Sequence, residues 1–124
     1  MQGDIVYIEL SLNIHSISET LAFYQTLFGW EFTESHLSSK KYFMFKTKGN
    51  KIQGALDENV VANQNGVQIY IECHDIDLTL TNIQENFINA NVLKSKTHIS
   101  KEYGSYAIII DPSGNRIGLQ EDTK

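Results

Sequence analysis

The chain has 124 residues, 41% of them apolar, with 15 acidic against 10 basic side chains and a net charge of −5. That length supports one hydrophobic core, and the acidic balance offers no footprint for nucleic acid or an anionic membrane surface. A lone Cys73 excludes an internal disulfide, no signal-peptide pattern precedes the first strand and no apolar run is bilayer-length, so cytoplasmic residence is the expectation.

Residues 5–14 alternate. Ile8, Leu10, Leu12 and Ile14 share an apolar face, and Tyr7, Glu9, Ser11 and Asn13 share a polar one, which reads as a strand. Ser16 with Glu19 forms a capping box for a helix whose stripe is Ile17, Leu21, Tyr24 and Phe28, with Gly29 placed to end it. Trp30 to Leu37 reads as a strand, and Tyr42 to Thr47 with Lys51 to Leu56 as a hairpin. The parity of the Tyr42–Thr47 strand stays open: either Phe43 and Phe45 or Met44 faces inward. Residues 57–66 form a polar linker.

The second half opens on another alternating strand from Val67. Val67, Ile69, Ile71 and Cys73 make its apolar back, and Gln68, Tyr70, Glu72 and His74 its front. Asp75 caps a helix with the stripe Ile76, Leu80, Ile83 and Phe87, and Asn89 or Asn91 supplies a left-handed exit. Val92 to Lys96 is a short strand, and residues 97–104 form a loop. The final segment, Gly104 to Leu119, reads as a hairpin turned by Asp111-Pro112-Ser113-Gly114-Asn115, with Gly114 or Asn115 left-handed.

The two halves are copies. Ser16-Ile17 and Asp75-Ile76, Leu21 and Leu80, and Phe28 and Phe87 stand 59 residues apart. Gly49-Asn50 and Gly114-Asn115, and Ile52 and Ile117, stand 65 apart. A period of roughly 60 residues, present only twice, predicts a duplicated module and no solenoid. The module is βαβββ, with module one at about 4–57 and module two at about 66–121 of a single 1–124 domain.

Phe23-Tyr24 with Phe28-Gly29-Trp30, then Tyr70-Ile71-Glu72 with Asp75-Ile76-Asp77, then Asp111 to Leu119 resemble, in that order, the vicinal oxygen chelate superfamily. This is the group of glyoxalase I, bleomycin resistance proteins and extradiol dioxygenases. The resemblance implies an α+β fold of two tandem βαβββ modules whose curled mixed sheets form a cup. It also implies a homodimer. Metal-dependent members place four ligands on the concave face, and the resemblance carries these positions to Glu9, Gln53 (Gly54 after a one-residue slip), Gln68 and Gly118.

One carboxylate and two neutral amides make a poor cage for zinc or nickel, which favour imidazole or anionic donors. The expectation is therefore no metal cofactor; Glu9, Gln53 and Gln68 are the candidates if a divalent ion binds. His15, His74, His36 and His98 read as surface residues and Cys73 as core. The expected ligand-binding residues are Tyr7, Glu9, Gln53, Gln68, Tyr70 and Arg116, and the family layout that the resemblance implies puts Tyr103 and Tyr106 at the flanks of the pocket. Arg116 has three readings: a partner for Glu9, a partner for a ligand carboxylate, or a rim charge.

Three functions are compatible with this pattern. The first is a bleomycin-resistance-like protein that binds a small organic molecule without a catalytic metal. The second is a glyoxalase-like lyase or isomerase with Glu9 as general base, with or without a divalent ion. The third is a dimerisation scaffold whose cup is filled by its own aromatics.

Overall fold

The structure, a computed structural model, describes residues 2–49, 53–62 and 65–122. Among these, eight strands and two helices run as βαβββ twice. The chain divides into two units, Met1–Ala62 and Asn63–Lys124. Each unit carries one four-stranded mixed sheet and one helix.

The first unit contains β1 (Tyr7–Ser11), α1 (Ile17–Phe28), β2 (Glu31–Glu34), β3 (Tyr42–Lys46) and β4 (Gln53–Asp57), in sheet order β1-β4-β3-β2. β1 runs parallel to β4 and the other pairs are antiparallel. β1 is shorter than the alternation suggests, and Ile14 is exposed instead of buried. The chain leaves the strand early because Asn13 turns it: its side-chain oxygen accepts the His15 N–H and its carbonyl accepts the Ser16 N–H, both at 2.9 Å. The expected capping box does not form. Ser16 sits at φ −135°, ψ 29°, away from the extended conformation a capping serine adopts, and its side chain makes no capping bond. Gly29 does end the helix, left-handed at φ 71°, with its N–H returned to the Gln25 carbonyl.

α1 buries Thr20, Phe23 and Tyr24 most deeply, so its inner face is centred a little off the expected stripe. Tyr24, Trp30 and Phe45 form a continuous stack. Ring centroids lie 4.4 Å apart at 10° for the first pair and 4.2 Å apart at 16° for the second. Strand register explains how Phe45 reaches the stack. Phe45 lies opposite Gly54, which lies opposite Ile8. A Cβ on Gly54 would stand 2.2 Å from the Ile8 carbonyl oxygen and 2.7 Å from Phe45 Cζ.

The second unit contains β5 (Tyr70–Glu72), α2 (Ile76–Asn86), β6 (Asn91–Ser100), β7 (Gly104–Ile110) and β8 (Arg116–Glu121), in sheet order β5-β8-β7-β6. Ile76, Leu80, Ile83 and Phe87 are all buried, as their spacing predicts. Asp75 caps α2 by accepting the Leu78 N–H at 3.0 Å. The helix leaves through Phe87 in an extended conformation, φ −131°, and Asn91 is already in β6. β6 also absorbs much of the expected 97–104 loop, because Thr97, His98 and Ser100 pair with Tyr106, Ser105 and Gly104 across several register shifts. β5 is only three residues long, and Val67 and Gln68 precede it outside any strand.

The β7–β8 turn is tied by one side chain. Asp111 is fully buried; its Oδ1 accepts the Ser113 and Asn115 N–H groups at 2.8 and 2.9 Å, and its Oδ2 accepts Asn115 Nδ2 at 2.8 Å. Gly114 takes the left-handed position, φ 94°. In the first unit, Asn50, Lys51 and Ile52 of the matching turn lie outside the described residues.

Glu121 joins β8 to α2. Its Oε1 accepts the N–H of Ile76, the first helical residue, at 2.7 Å, and its Oε2 lies 2.9 Å from Lys96 Nζ. The Ile76 hydrogen bond, helped by Lys96, holds the Glu121 carboxyl below the usual glutamate range. A carboxyl lowered on folding stabilises the fold above its unfolded value and loses that contribution as pH falls through the folded one.

Two outcomes are expected in denaturation experiments. Gly54→Ala costs about 2–3 kcal/mol because backbone blocks the new Cβ, whereas Gly118→Ala costs about 1 kcal/mol or less. At Gly118 the nearest atoms all belong to the half-exposed Tyr70 ring, which can swing aside. Equal losses in urea midpoint contradict this account. Glu121→Gln keeps an acceptor for Ile76 but not the charge, so it lowers stability by about 1 kcal/mol at neutral pH. Stability measured against pH then falls less steeply for the variant below about pH 4.5, the ordinary glutamate value.

Candidate functional site

Each sheet has one face on its own helix side and one open face, and register assigns the side chains to them. In the first unit Ile8, Gly54, Phe45 and Phe32 are register partners across the four strands, and Phe45 stacks on Trp30. The opposite face carries Tyr7, Glu9, Gln53, Tyr42, Met44 and Lys46. The open parity of β3 is thereby resolved: Phe43 and Phe45 are buried, while Met44 is 41% exposed.

Tyr7, Glu9 and Tyr42 make one hydrogen-bonded chain on this open face. Tyr42 Oη donates to Glu9 Oε2 at 2.8 Å, and the Tyr7 and Tyr42 hydroxyls stand 2.8 Å apart. Partial burial raises the Tyr42 pKa well above the usual phenol value, and its hydrogen bonds to Tyr7 and Glu9 raise it further. Ionising Tyr42 would set a phenolate against a carboxylate. Lys40 Nζ lies 5.1 Å from the Tyr42 ring centre and bonds buried Asp57 at 2.9 Å. Gln53 is exposed and is the register partner of Tyr7.

In the second unit the open face carries Tyr70, Glu72, Arg116, Gly118, Gln120, Tyr106 and Ile108. A cavity of about 410 Å³ is lined by Tyr70, Ile99, Tyr103, Tyr106 and Gln120. Tyr70 and Tyr103 are more than half exposed, and Gln120 Nε2 donates to the Tyr103 carbonyl at 3.2 Å. Lys94 Nζ lies 5.4 Å from the Tyr106 ring centre. Gly118 sits beneath Tyr70: a Cβ there would stand 2.4 Å from two atoms of that ring. Arg116 is half-buried on β8, opposite Ile110.

The expected residues thus fall into two groups. Tyr7, Glu9 and Gln53 share the open face of the first sheet. Tyr70 and Arg116 share that of the second, and Gln68 is half-buried just before β5. Sequence reasoning missed Tyr42, Ile99 and Gln120. The Tyr42 signal was present in the alternation of β3, where assigning Phe43 and Phe45 to the core puts Tyr42 beside Glu9. Gln120 lies two residues beyond Gly118 on the same face of β8, just past the expected end of the hairpin at Leu119, whereas Ile99 had no such signal, since β6 read as ending before it.

Among the described residues no group of three or more His, Cys, Asp or Glu side chains is placed to hold a metal ion. The residues at the four family positions do not fit one either. Gly118 offers no donor and its space is taken by the Tyr70 ring, and Glu9 already accepts a phenol proton. His15, His36, His74 and His98 are exposed, and Cys73 is buried with its Sγ 3.2 Å from Thr79 Oγ1. Among the described residues no helix is long and apolar enough to cross a membrane.

Comparison with known proteins agrees with this architecture. An antibiotic-binding protein from Streptomyces sp. CB03234 superposes with TM-score 0.67 at 16% identity, covering 98% of this chain and 97% of the other. A genomically encoded fosfomycin resistance protein from Listeria monocytogenes gives TM-score 0.72 at 17% identity, covering 99% and 96%. A glyoxylase/bleomycin resistance protein/dioxygenase domain from Frankia sp. EAN1pec gives 0.71 at 7% identity, covering 98% and 99%. At such identities the likeness establishes the fold alone. No curated protein matches the chain by sequence. The family model for the glyoxalase/bleomycin resistance protein/dioxygenase superfamily matches residues 5–119, and with its duplicated βαβββ units the chain belongs to that superfamily.

Proposed function

We propose that this protein binds a small organic molecule on the open face of its second unit, with no metal taking part. The cavity lined by Tyr70, Ile99, Tyr103, Tyr106 and Gln120 carries this reading. Its volume of about 410 Å³ suits a drug-sized molecule. The lining combines three phenol rings, one aliphatic side chain and one amide. Such rings offer large apolar area with a polar tip, which favours a flat organic ligand bearing a few hydrogen-bonding groups. A structural neighbour that is an antibiotic-binding protein supports a small organic molecule as the occupant. Gln68, just before β5, and Arg116, on the same face of β8 as Gly118, remain candidate polar contacts within this unit. On this reading the protein is a cytoplasmic homodimer: the lone Cys73 favours a reducing compartment, and the family resemblance favours the dimer.

A second reading makes Glu9 the general base of a lyase or isomerase. The Tyr42–Glu9 hydrogen bond favours it by holding the carboxylate in a fixed orientation. Without a Lewis acid, however, an enediolate would need several kcal/mol of stabilisation from neutral donors.

A thermal-shift screen of aromatic antibiotics and related flat heterocycles tests the first reading. A hit at about 100 times its Kd adds about 2.7 kcal/mol to stability. Tyr70→Ala with Tyr103→Ala, both at exposed positions, should weaken such a hit at least tenfold while leaving the unliganded melting temperature nearly unchanged. Undiminished affinity in the double variant places the ligand elsewhere and overturns the proposal.

A further inference from the structure

The first unit presents a separate polar surface, and its protons can be counted. A tyrosine hydroxyl has one proton. Tyr42 gives its proton to Glu9 Oε2. The 2.8 Å contact between the Tyr7 and Tyr42 hydroxyls therefore requires Tyr7 to be the donor. Both protons point along the chain towards Glu9, and neither is left for a ligand. What remains on offer is the Tyr7 oxygen lone pairs and Glu9 Oε1, which has no partner among the described residues. Both are acceptors.

The surroundings keep this surface open. Glu9 is exposed, Tyr7 is 42% exposed and Met44 is 41% exposed. Among the described residues, two lysines border the face: Lys40, bonded to Asp57, already stands 5.1 Å from the Tyr42 ring centre, and Lys46 lies two strands from Tyr7, across β4. With Lys40 already on the Tyr42 ring, the Tyr7 ring adds a π-face, which attracts a cation within about 6 Å of the ring centre. The high pKa of Tyr42 is consistent with its proton staying in the chain.

We infer that Tyr7, Tyr42 and Glu9 form a binding site for an organic ammonium group, selective for hydrogen-bond donors because its own donors are spent internally. The site stands on the first unit alone. Failure of the cavity reading in the second unit leaves it untouched, and its own failure leaves that reading untouched.

Benzylammonium, benzyl alcohol and benzoate have similar shape and different charge, and serve as probes. Each is titrated into ¹⁵N-labelled protein, following the backbone amides of Tyr7, Glu9, Tyr42 and Gln53. Benzylammonium should shift these amides with at least fivefold tighter apparent affinity than benzyl alcohol, a preference that shrinks as salt rises. Benzoate should leave them in place. Glu9→Gln should abolish the preference. Tyr42→Phe releases the Tyr7 proton to face solvent, and should narrow the gap between the ammonium and the alcohol with the fold intact. Equal binding of all three probes overturns the inference. So does a preference that survives Glu9→Gln, or an ammonium that shifts none of the four amides. Manganese broadening these amides at lower concentration than benzylammonium needs would also overturn it, by assigning the acceptors to a metal ion.

Discussion

The first unit depends on the missing side chain of Gly54. Phe45 lies opposite it, and only because nothing projects from Gly54 does the Phe45 ring settle against β4 and continue the stack through Trp30 to Tyr24. That stack fastens α1 to its sheet. The helix contributes Tyr24, the segment after it contributes Trp30, and the sheet contributes Phe45. The second unit solves the same packing problem with the opposite distribution of volume. At the 65-residue offset Gly54 becomes Leu119, and the residue opposite Leu119 is the small Ala107. A large ring over glycine in one copy corresponds to leucine over alanine in the other. Close-packed interiors tolerate such exchanges when the summed volume across the strand pair is kept.

The same offset puts Gly118 where the first unit has Gln53. On that face the consequence concerns the site and not the core. Gln53 leaves the first sheet polar beside Tyr7, whereas Gly118 lets the Tyr70 ring lie down on the second sheet and become a wall of the cavity. One substitution of a side chain by hydrogen thus turns a polar position into an aromatic one. The two open faces, alike in topology, have diverged in chemistry: acceptors around Glu9 on the first, phenol rings around Gln120 on the second.

Much of the architecture was legible because duplication doubled every signal. The 59-residue offset placed both helix starts correctly at Ile17 and Ile76, and the turn chemistry of Asp111 to Asn115 identified the last hairpin. The errors have local causes. Ser16 and Glu19 have the spacing of a capping box, but Asn13 closes its own turn first and sets Ser16 in a conformation from which it cannot cap. Lys94 to Thr97 looked like the end of a strand because polar residues run together there. β6 is an edge strand interrupted by bulges, which needs no strict alternation to pair with β7. The Tyr7–Tyr42–Glu9 chain joins residues 33 and 35 positions apart. It follows from the register between β1, β4 and β3, which no single-strand pattern encodes.

The relation between fold and metal chemistry can be put in terms of Gly118. Within this superfamily a scaffold does not by itself determine function, so one question is how far this chain stands from a metal-binding relative. Replacing Gly118 with a donor residue would not be enough. Any Cβ at this position runs into the Tyr70 ring, so the ring must leave before a donor could point outward. Swinging the Tyr70 ring aside in turn takes one wall of the cavity out of place. A fourth ligand and an aromatic pocket therefore compete for the same space on β8, and a chain that acquires one gives up part of the other.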